Sequence, residues 1–221
     1  MAQIQPPALG PAAPADLRYL ALGDSYTIGE SVDARLRWPA QLVGRLRERG
    51  VAVAPPVIVA QTGWTAQELA RAIDRQAPRG PFQLVSLQIG VNNQYRGLDV
   101  EEYRVALRSL LQRAIGLAGG DAGRLLVVSI PDWGVTPFAE GRDRDQIAAE
   151  IERFSEVNRA EAERAGARYI DITPQSRIAA AEPAMIAEDG LHPSGVMYAE
   201  WARLIEPAAL AALAERGVVV R

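Results

Sequence analysis

Apolar and polar positions along the chain follow two rhythms. Short, nearly unbroken apolar runs fall at Leu17 to Leu22, Val57 to Ala60, Leu84 to Ile89, Leu125 to Ile130 and Ala167 to Asp171. Longer stretches with apolar residues at helical spacing lie between and after them. These are Trp38 to Arg49, Thr65 to about Ala77, Val100 to Ala118, Arg144 to Ala165, and a last one opened by Ser194 and ending near Arg216-Gly217. The first class predicts buried strands and the second amphipathic helices. The punctuation agrees. Thr65 with Glu68 three places on forms a capping box, and Gly50, Gly119-Gly120 and Gly166 sit where helices should stop.

Strands that are apolar throughout belong in a parallel sheet covered on both faces. Strand and helix alternate five times with no internal repeat. The predicted fold class is α/β: one doubly wound, three-layer αβα domain with a five-stranded, mainly parallel sheet. We expect a Pro- and Ala-rich tail over residues 1–15 and a single domain over 16–221. Asp132 to Arg142 reads as a long loop after the fourth strand. It carries Trp133, Pro137 and Phe138 and is expected to form a wall on the substrate side.

Composition narrows the chemistry. The 221 residues are 48% hydrophobic with a net charge of −3. That suits one domain with a full core and gives no basic footprint for nucleic acid. No apolar run is long enough to span a bilayer. There is no cysteine, and all 24 basic residues are arginine. Thiolate nucleophiles, Schiff-base lysines, Ser-Lys dyads and Walker-A lysines are therefore excluded, as are the usual zinc clusters in a chain with one histidine. The N-terminus lacks a charged segment followed by an apolar one. The chain as given is expected to be cytoplasmic, or secreted or periplasmic if a leader was removed.

The lone histidine, His192, lies in Asp189-Gly190-Leu191-His192-Pro193. A general base near neutral pH is usually a histidine, and only His192 can supply one here. Asp189, three places earlier, can orient it, in preference to Asp24. Ser25, in Gly23-Asp24-Ser25-Tyr26, follows the first predicted strand and can be activated by it. In open parallel sheets, sites lie at the carboxyl ends of the strands. Ser25, Gly63 (in Gln61-Thr62-Gly63-Trp64), Asn92 (in Gly90-Val91-Asn92-Asn93) and His192 follow strands one, two, three and five. All four therefore fall on one edge. There is no Gly-x-Ser-x-Gly, which sets aside the α/β-hydrolase nucleophile elbow. Asp132 and Asp171 reach the same edge and read as capping or loop residues. The arginines of the Arg144 to Ala165 helix alternate with Glu and read as a solvated face.

These blocks, in this order, resemble the SGNH (GDSL-type) hydrolase family. They are Gly23-Asp24-Ser25-Tyr26, Gly63, Gly90-Val91-Asn92-Asn93 and Asp189-Gly190-Leu191-His192. The resemblance implies a flavodoxin-like three-layer fold and metal-free ester hydrolysis. It spans lipids, thioesters, aryl esters and acetylated sugars; the first hypothesis is a cofactor-free esterase acting on small-molecule short acyl or acetyl esters. It implies Ser25 as nucleophile, His192 as base and Asp189 as orienting acid. It also implies an oxyanion hole from the backbone N–H groups of Ser25 and Gly63 and the Asn92 side chain. Two positions depart from the family pattern: Tyr26 stands where Leu is usual, and Asn93 where Asp is common. Trp64, Tyr95, Arg96 and Trp133 neighbour the site loops and are candidates for lining the pocket. Two alternatives stand beside this reading. One is a flavin- or phosphate-binding module using Ser25-Tyr26-Thr27-Ile28-Gly29 after strand one. The other is an inactive relative that only binds.

Overall fold

The structure, a computed structural model, describes residues 17–215. The tail expected over residues 1–15, and the end of the last helix near Arg216-Gly217, lie outside the described residues. Among the described residues there are five strands: β1 (Tyr19–Gly23), β2 (Val57–Ala60), β3 (Leu84–Gln88), β4 (Leu125–Val128) and β5 (Arg168–Ile170). All pair in parallel, in the order β2-β1-β3-β4-β5. β1, β3 and β4 are buried at every position, because helices cover both faces. The fold is the expected three-layer α/β sandwich.

Among the described residues eight α-helices accompany the strands: α1 (Ser25–Ile28), α2 (Trp38–Glu48), α3 (Ala66–Gln76), α4 (Val91–Tyr95), α5 (Val100–Leu117), α6 (Arg144–Arg164), α7 (Thr173–Ser176) and α8 (Gly195–Ala214). The long ones match the apolar periodicity to within a residue or two where described. α1, α4 and α7, each four or five residues, are one-turn structures that carry no period to read. The Asp132 to Arg142 segment is likewise built of two 3₁₀ turns, Trp133–Val135 and Pro137–Ala139. α2 and α8 pack against each other on one face, and α3, α5 and α6 form the other layer. Trp38, Trp201, Tyr19, Tyr103 and Tyr198 are the largest fully buried side chains.

Two buried glutamates bolt the helices together. Glu206 of α8 accepts from Arg45 of α2 at 2.7 Å and from Arg49, just past the end of α2, at 2.8 Å. Glu161 of α6 accepts from Arg104 and Arg108 of α5 and from Arg164. The arginines of α6 lie on a solvated face as expected, and Glu161 is the buried exception among its acids. The Glu161 side chain is only 3% exposed, because guanidinium forks saturate its oxygens and allow its burial. Arg159 likewise pairs with Asp171 across the end of β5.

The Arg108 hydrogen bonds, followed by those of Arg164 and Arg104, hold the Glu161 carboxyl at about 2 against burial that would raise it. A carboxyl depressed in the fold stabilises fully above its unfolded value of 4.5 and loses that effect as pH falls toward 2. Urea denaturation of Glu161→Gln should show a deficit on the order of 2–3 kcal/mol at pH 7 that shrinks between pH 4.5 and 2. A deficit unchanged over that range would contradict the assignment.

Candidate active site

A parallel sheet ordered β2-β1-β3-β4-β5 reverses its winding between β1 and β3, and the crevice at that switch is where ligands bind. Ser25 leaves the end of β1, the Gln61–Trp64 turn leaves β2, and α4 follows β3 after Gly90. One cleft, of about 500 Å³ including its open mouth, is lined by Ser25, Thr62, Gly63, Asn92 and His192. Tyr26, Val91, Tyr95, Trp133, Phe138 and Leu191 complete its walls. The fold thus brings together Ser25, Gly63, Asn92 and His192, the four residues that the sequence places on one edge.

Ser25 is the first residue of α1. Asp24 caps that turn: its Oδ1 accepts from the Tyr26 N–H at 3.0 Å, and its carbonyl accepts from Thr27 and Ile28. Of the N–H groups in this turn, that of Ser25 alone has no acceptor among the described residues. A phosphate cradle would need several of these donors free, so the observed turn does not support the flavin- or phosphate-binding alternative.

The Gln61–Trp64 turn is closed by a Trp64 N–H to Gln61 carbonyl bond at 3.2 Å. Gly63 sits in it at φ +81°, which favours glycine. Only the Arg96 Nη2, at 3.7 Å, would touch a Cβ there, so conformation rather than space selects glycine. At Gly90 both apply: φ is +131°, and a Cβ would strike the Tyr103 hydroxyl at 2.7 Å.

Asn92 lies on α4 rather than in a loop. Its Nδ2 donates to the Trp64 carbonyl at 3.0 Å and to Asp24 Oδ2 at 3.3 Å. Asn93 Oδ1 accepts from the Ala66 N–H at 2.9 Å while its Nδ2 donates to Gln67 at 3.0 Å. An amide can accept and donate at once and a carboxylate cannot, which accounts for Asn at this position.

His192 and Asp189 form one local turn. Asp189 Oδ1 accepts from the backbone N–H groups of Leu191 and His192, and Oδ2 lies 2.6 Å from His192 Nδ1. Ser31 donates to the same Oδ2 at 2.7 Å. Burial alone would raise the Asp189 carboxyl, but the bonds from His192, Ser31 and the two amides outweigh it and hold it far below the usual carboxylate range. An ionised Asp189 only accepts, so the proton sits on His192 Nδ1 and Nε2 is left as the basic nitrogen. The Tyr26 ring packs on the imidazole, with centroids 5.1 Å apart. Ser31 escaped the sequence reading because it lies 158 positions from its partner.

Of the four candidate lining residues, Tyr95 and Trp133 line the cleft, and Trp64 and Arg96 do not. The Trp64 side chain packs against the core, and Arg96 is turned onto the Gly63 carbonyl and Glu68. Phe138 joins Tyr95 and Trp133 in an aromatic wall, and its N–H donates to the Gly190 carbonyl of the histidine loop at 3.0 Å. Asp132 is tied to Gly134 and Arg177, and Asp171 to Ser129 and Arg159. Neither lines the cleft.

The sequence matches the GDSL-like lipase/acylhydrolase family over residues 21–200. None of the curated proteins compared with it matches. Among solved structures, TesA is 21% identical, with 89% of this chain and 99% of that one covered and a TM-score of 0.70. An Axe2 variant, an acetyl xylan esterase from Geobacillus stearothermophilus, is 21% identical over 93% and 97%, at 0.68. The psychrotrophic esterase EstA from Pseudoalteromonas sp., inhibited by monoethylphosphonate, is 15% identical over 91% and 98%, at 0.66. At these identities the likeness is one of fold.

Burial raises the Asp24 carboxyl to about 7, against the bonds from Tyr26 and Asn92 that lower it. A carboxyl raised in the fold takes up protons more readily when native, so its effect on stability becomes less favourable as pH rises from 3.8 through 7. Asp24→Asn, which stays neutral, should gain on the order of 1–4 kcal/mol relative to wild type between pH 4 and pH 8 in urea denaturation. A pH-independent offset would contradict this environment for Asp24.

Proposed function

The chain belongs to the GDSL-like lipase/acylhydrolase family and is an ester hydrolase; on that premise we propose that Ser25, His192 and Asp189 perform the hydrolysis. What carries this reading is His192: its Nδ1 is held by Asp189 at 2.6 Å while its ring lines the same cleft as Ser25. No hydrogen bond joins Ser25 to His192 among the described residues, and in this proposal that bond forms as substrate binds.

The Ser25 Oγ attacks the ester carbonyl carbon as His192 Nε2 takes its proton. The carbonyl oxygen becomes an oxyanion facing the N–H groups of Ser25 and Gly63 and the Asn92 amide. The tetrahedral adduct collapses, the alcohol leaves with the proton from Nε2, and Ser25 carries the acyl group. A water then gives its proton to Nε2 and adds to the acyl carbon. Collapse of this second adduct releases the acid and restores Ser25 and His192. No metal or cofactor enters any step. Asn92 donates to Asp24 at 3.3 Å, the longer of its two bonds, so this hydrogen is the one available to a stronger acceptor such as the oxyanion.

The substrate is a small ester with a short acyl group. Val91, Tyr95, Trp133, Phe138 and Leu191 supply the apolar surface against which a small acyl group packs.

Hydrolysis of p-nitrophenyl acetate by Ser25→Ala and His192→Ala should fall to background with the folds intact. Asn92→Ala should lower kcat by about 100- to 1000-fold. Turnover by Ser25→Ala at the wild-type rate would contradict the proposal. Across p-nitrophenyl acetate, butyrate and octanoate, kcat/KM should drop at octanoate. A rise there would contradict the short-acyl assignment.

A further inference from the structure

The short helix α4 does more than present Asn92. Two of its side chains and the residue after it reach the segment from β2 into α3. The Asn92 amide holds the Trp64 carbonyl at 3.0 Å, and Asn93 holds the Ala66 N–H at 2.9 Å and Gln67 at 3.0 Å. Gln94 instead anchors the wall, accepting from Trp133 Nε1 at 2.7 Å. Arg96, which ends the helix, places Nη2 against the Gly63 carbonyl at 2.5 Å. The guanidinium is itself aimed by Glu68, 3.4 Å away, and Glu68 is fixed in turn by its capping-box bond from the Thr65 N–H at 2.8 Å. On the far side of the turn, Thr62 donates to Glu30.

A glycine at φ +81° is the most pliant point of such a turn, and the orientation of its peptides decides where its N–H is aimed. The Gly63 carbonyl lies on the peptide that follows this N–H. We propose that Arg96 is a positioning residue for the oxyanion hole, holding the Gly63 carbonyl so that the Gly63 N–H faces the cleft. It touches no substrate: it is absent from the cleft lining, and its charge is spent on Glu68 and the carbonyl. The inference rests on the proposed role of Gly63 N–H and adds a residue outside the cleft on which that donor depends. Preorganised donors contribute through their placement, and a misplacement of about 1 Å can cost about 100-fold.

The Arg96 side chain is 45% exposed, so its replacement leaves the core untouched. Arg96→Met keeps the apolar stem and removes the donors, and Arg96→Lys restores one. With p-nitrophenyl acetate, Arg96→Met should lower kcat by about tenfold with KM held within about twofold, and Arg96→Lys should recover most of the loss. Melting temperatures of both should stay within about 2 °C of wild type. An unchanged kcat in Arg96→Met would overturn the inference. So would a loss confined to KM for an anionic ester such as mono-p-nitrophenyl succinate, which would make Arg96 a substrate contact. A wild type lacking Ser25-dependent turnover would overturn the reading of the function itself, and this inference with it.

Discussion

All strands of the sheet run the same way, and this sets the position of everything at the site. A parallel strand must be followed by a crossover, so each strand ends at the same edge and hands its chain to a loop there. With the order β2-β1-β3, the ends of those three strands become neighbours although the chain visits them between residues 23 and 88. The crevice at the reversal is left uncovered by the crossing helices. Ser25, Gly63 and Asn92 occupy its floor, and the Asp189–His192 turn closes it from the far end of the sequence. No single loop holds the site. Cross-loop hydrogen bonds, Asn92 to Trp64 and Ser31 to Asp189 among them, bring its parts into register.

Within that crevice, charge is managed by burial and by committed donors. Asp189 is kept ionised by four donors and so fixes the histidine tautomer. Asp24 is burdened by burial and sits beside Asn92 with a carboxyl raised to about 7. Two acids, one beside Ser25 and one three residues before His192, are thus pushed in opposite directions by their surroundings, a separation typical of functional sites. The scaffold uses the same principle without lysine. Buried Glu161 and Glu206 are tolerated because arginine forks meet them, and these pairs fix α6 to α5 and α8 to α2.

Much of this was legible in the sequence, for physical reasons that also mark where reading stopped. Strands such as Leu84–Gln88 are apolar on both faces, and helices such as α3 carry both a period and a capping box, so each announces itself locally. The one-edge placement of Ser25, Gly63, Asn92 and His192 followed from strand order alone. What stayed hidden was set by tertiary contact. α4 has five residues and no measurable period, yet its Asn93 and the following Arg96 bond to a segment some thirty positions away. Arg96 reads as a pocket residue from its neighbourhood in sequence, and its direction depends on Glu68. Glu161 reads as one acid among many on a polar helix. Its burial depends on two arginines of a different helix.

Hydrolysis at this site requires Ser25 to be an activated nucleophile. The most direct measurement is to react the full chain with a fluorophosphonate and locate the adduct by mass spectrometry of its peptides. An activated Ser25 gives a single stoichiometric phosphonyl group on that residue, formed by the wild type and missing in His192→Ala. A folded protein that forms no adduct, or forms it elsewhere, would contradict the account.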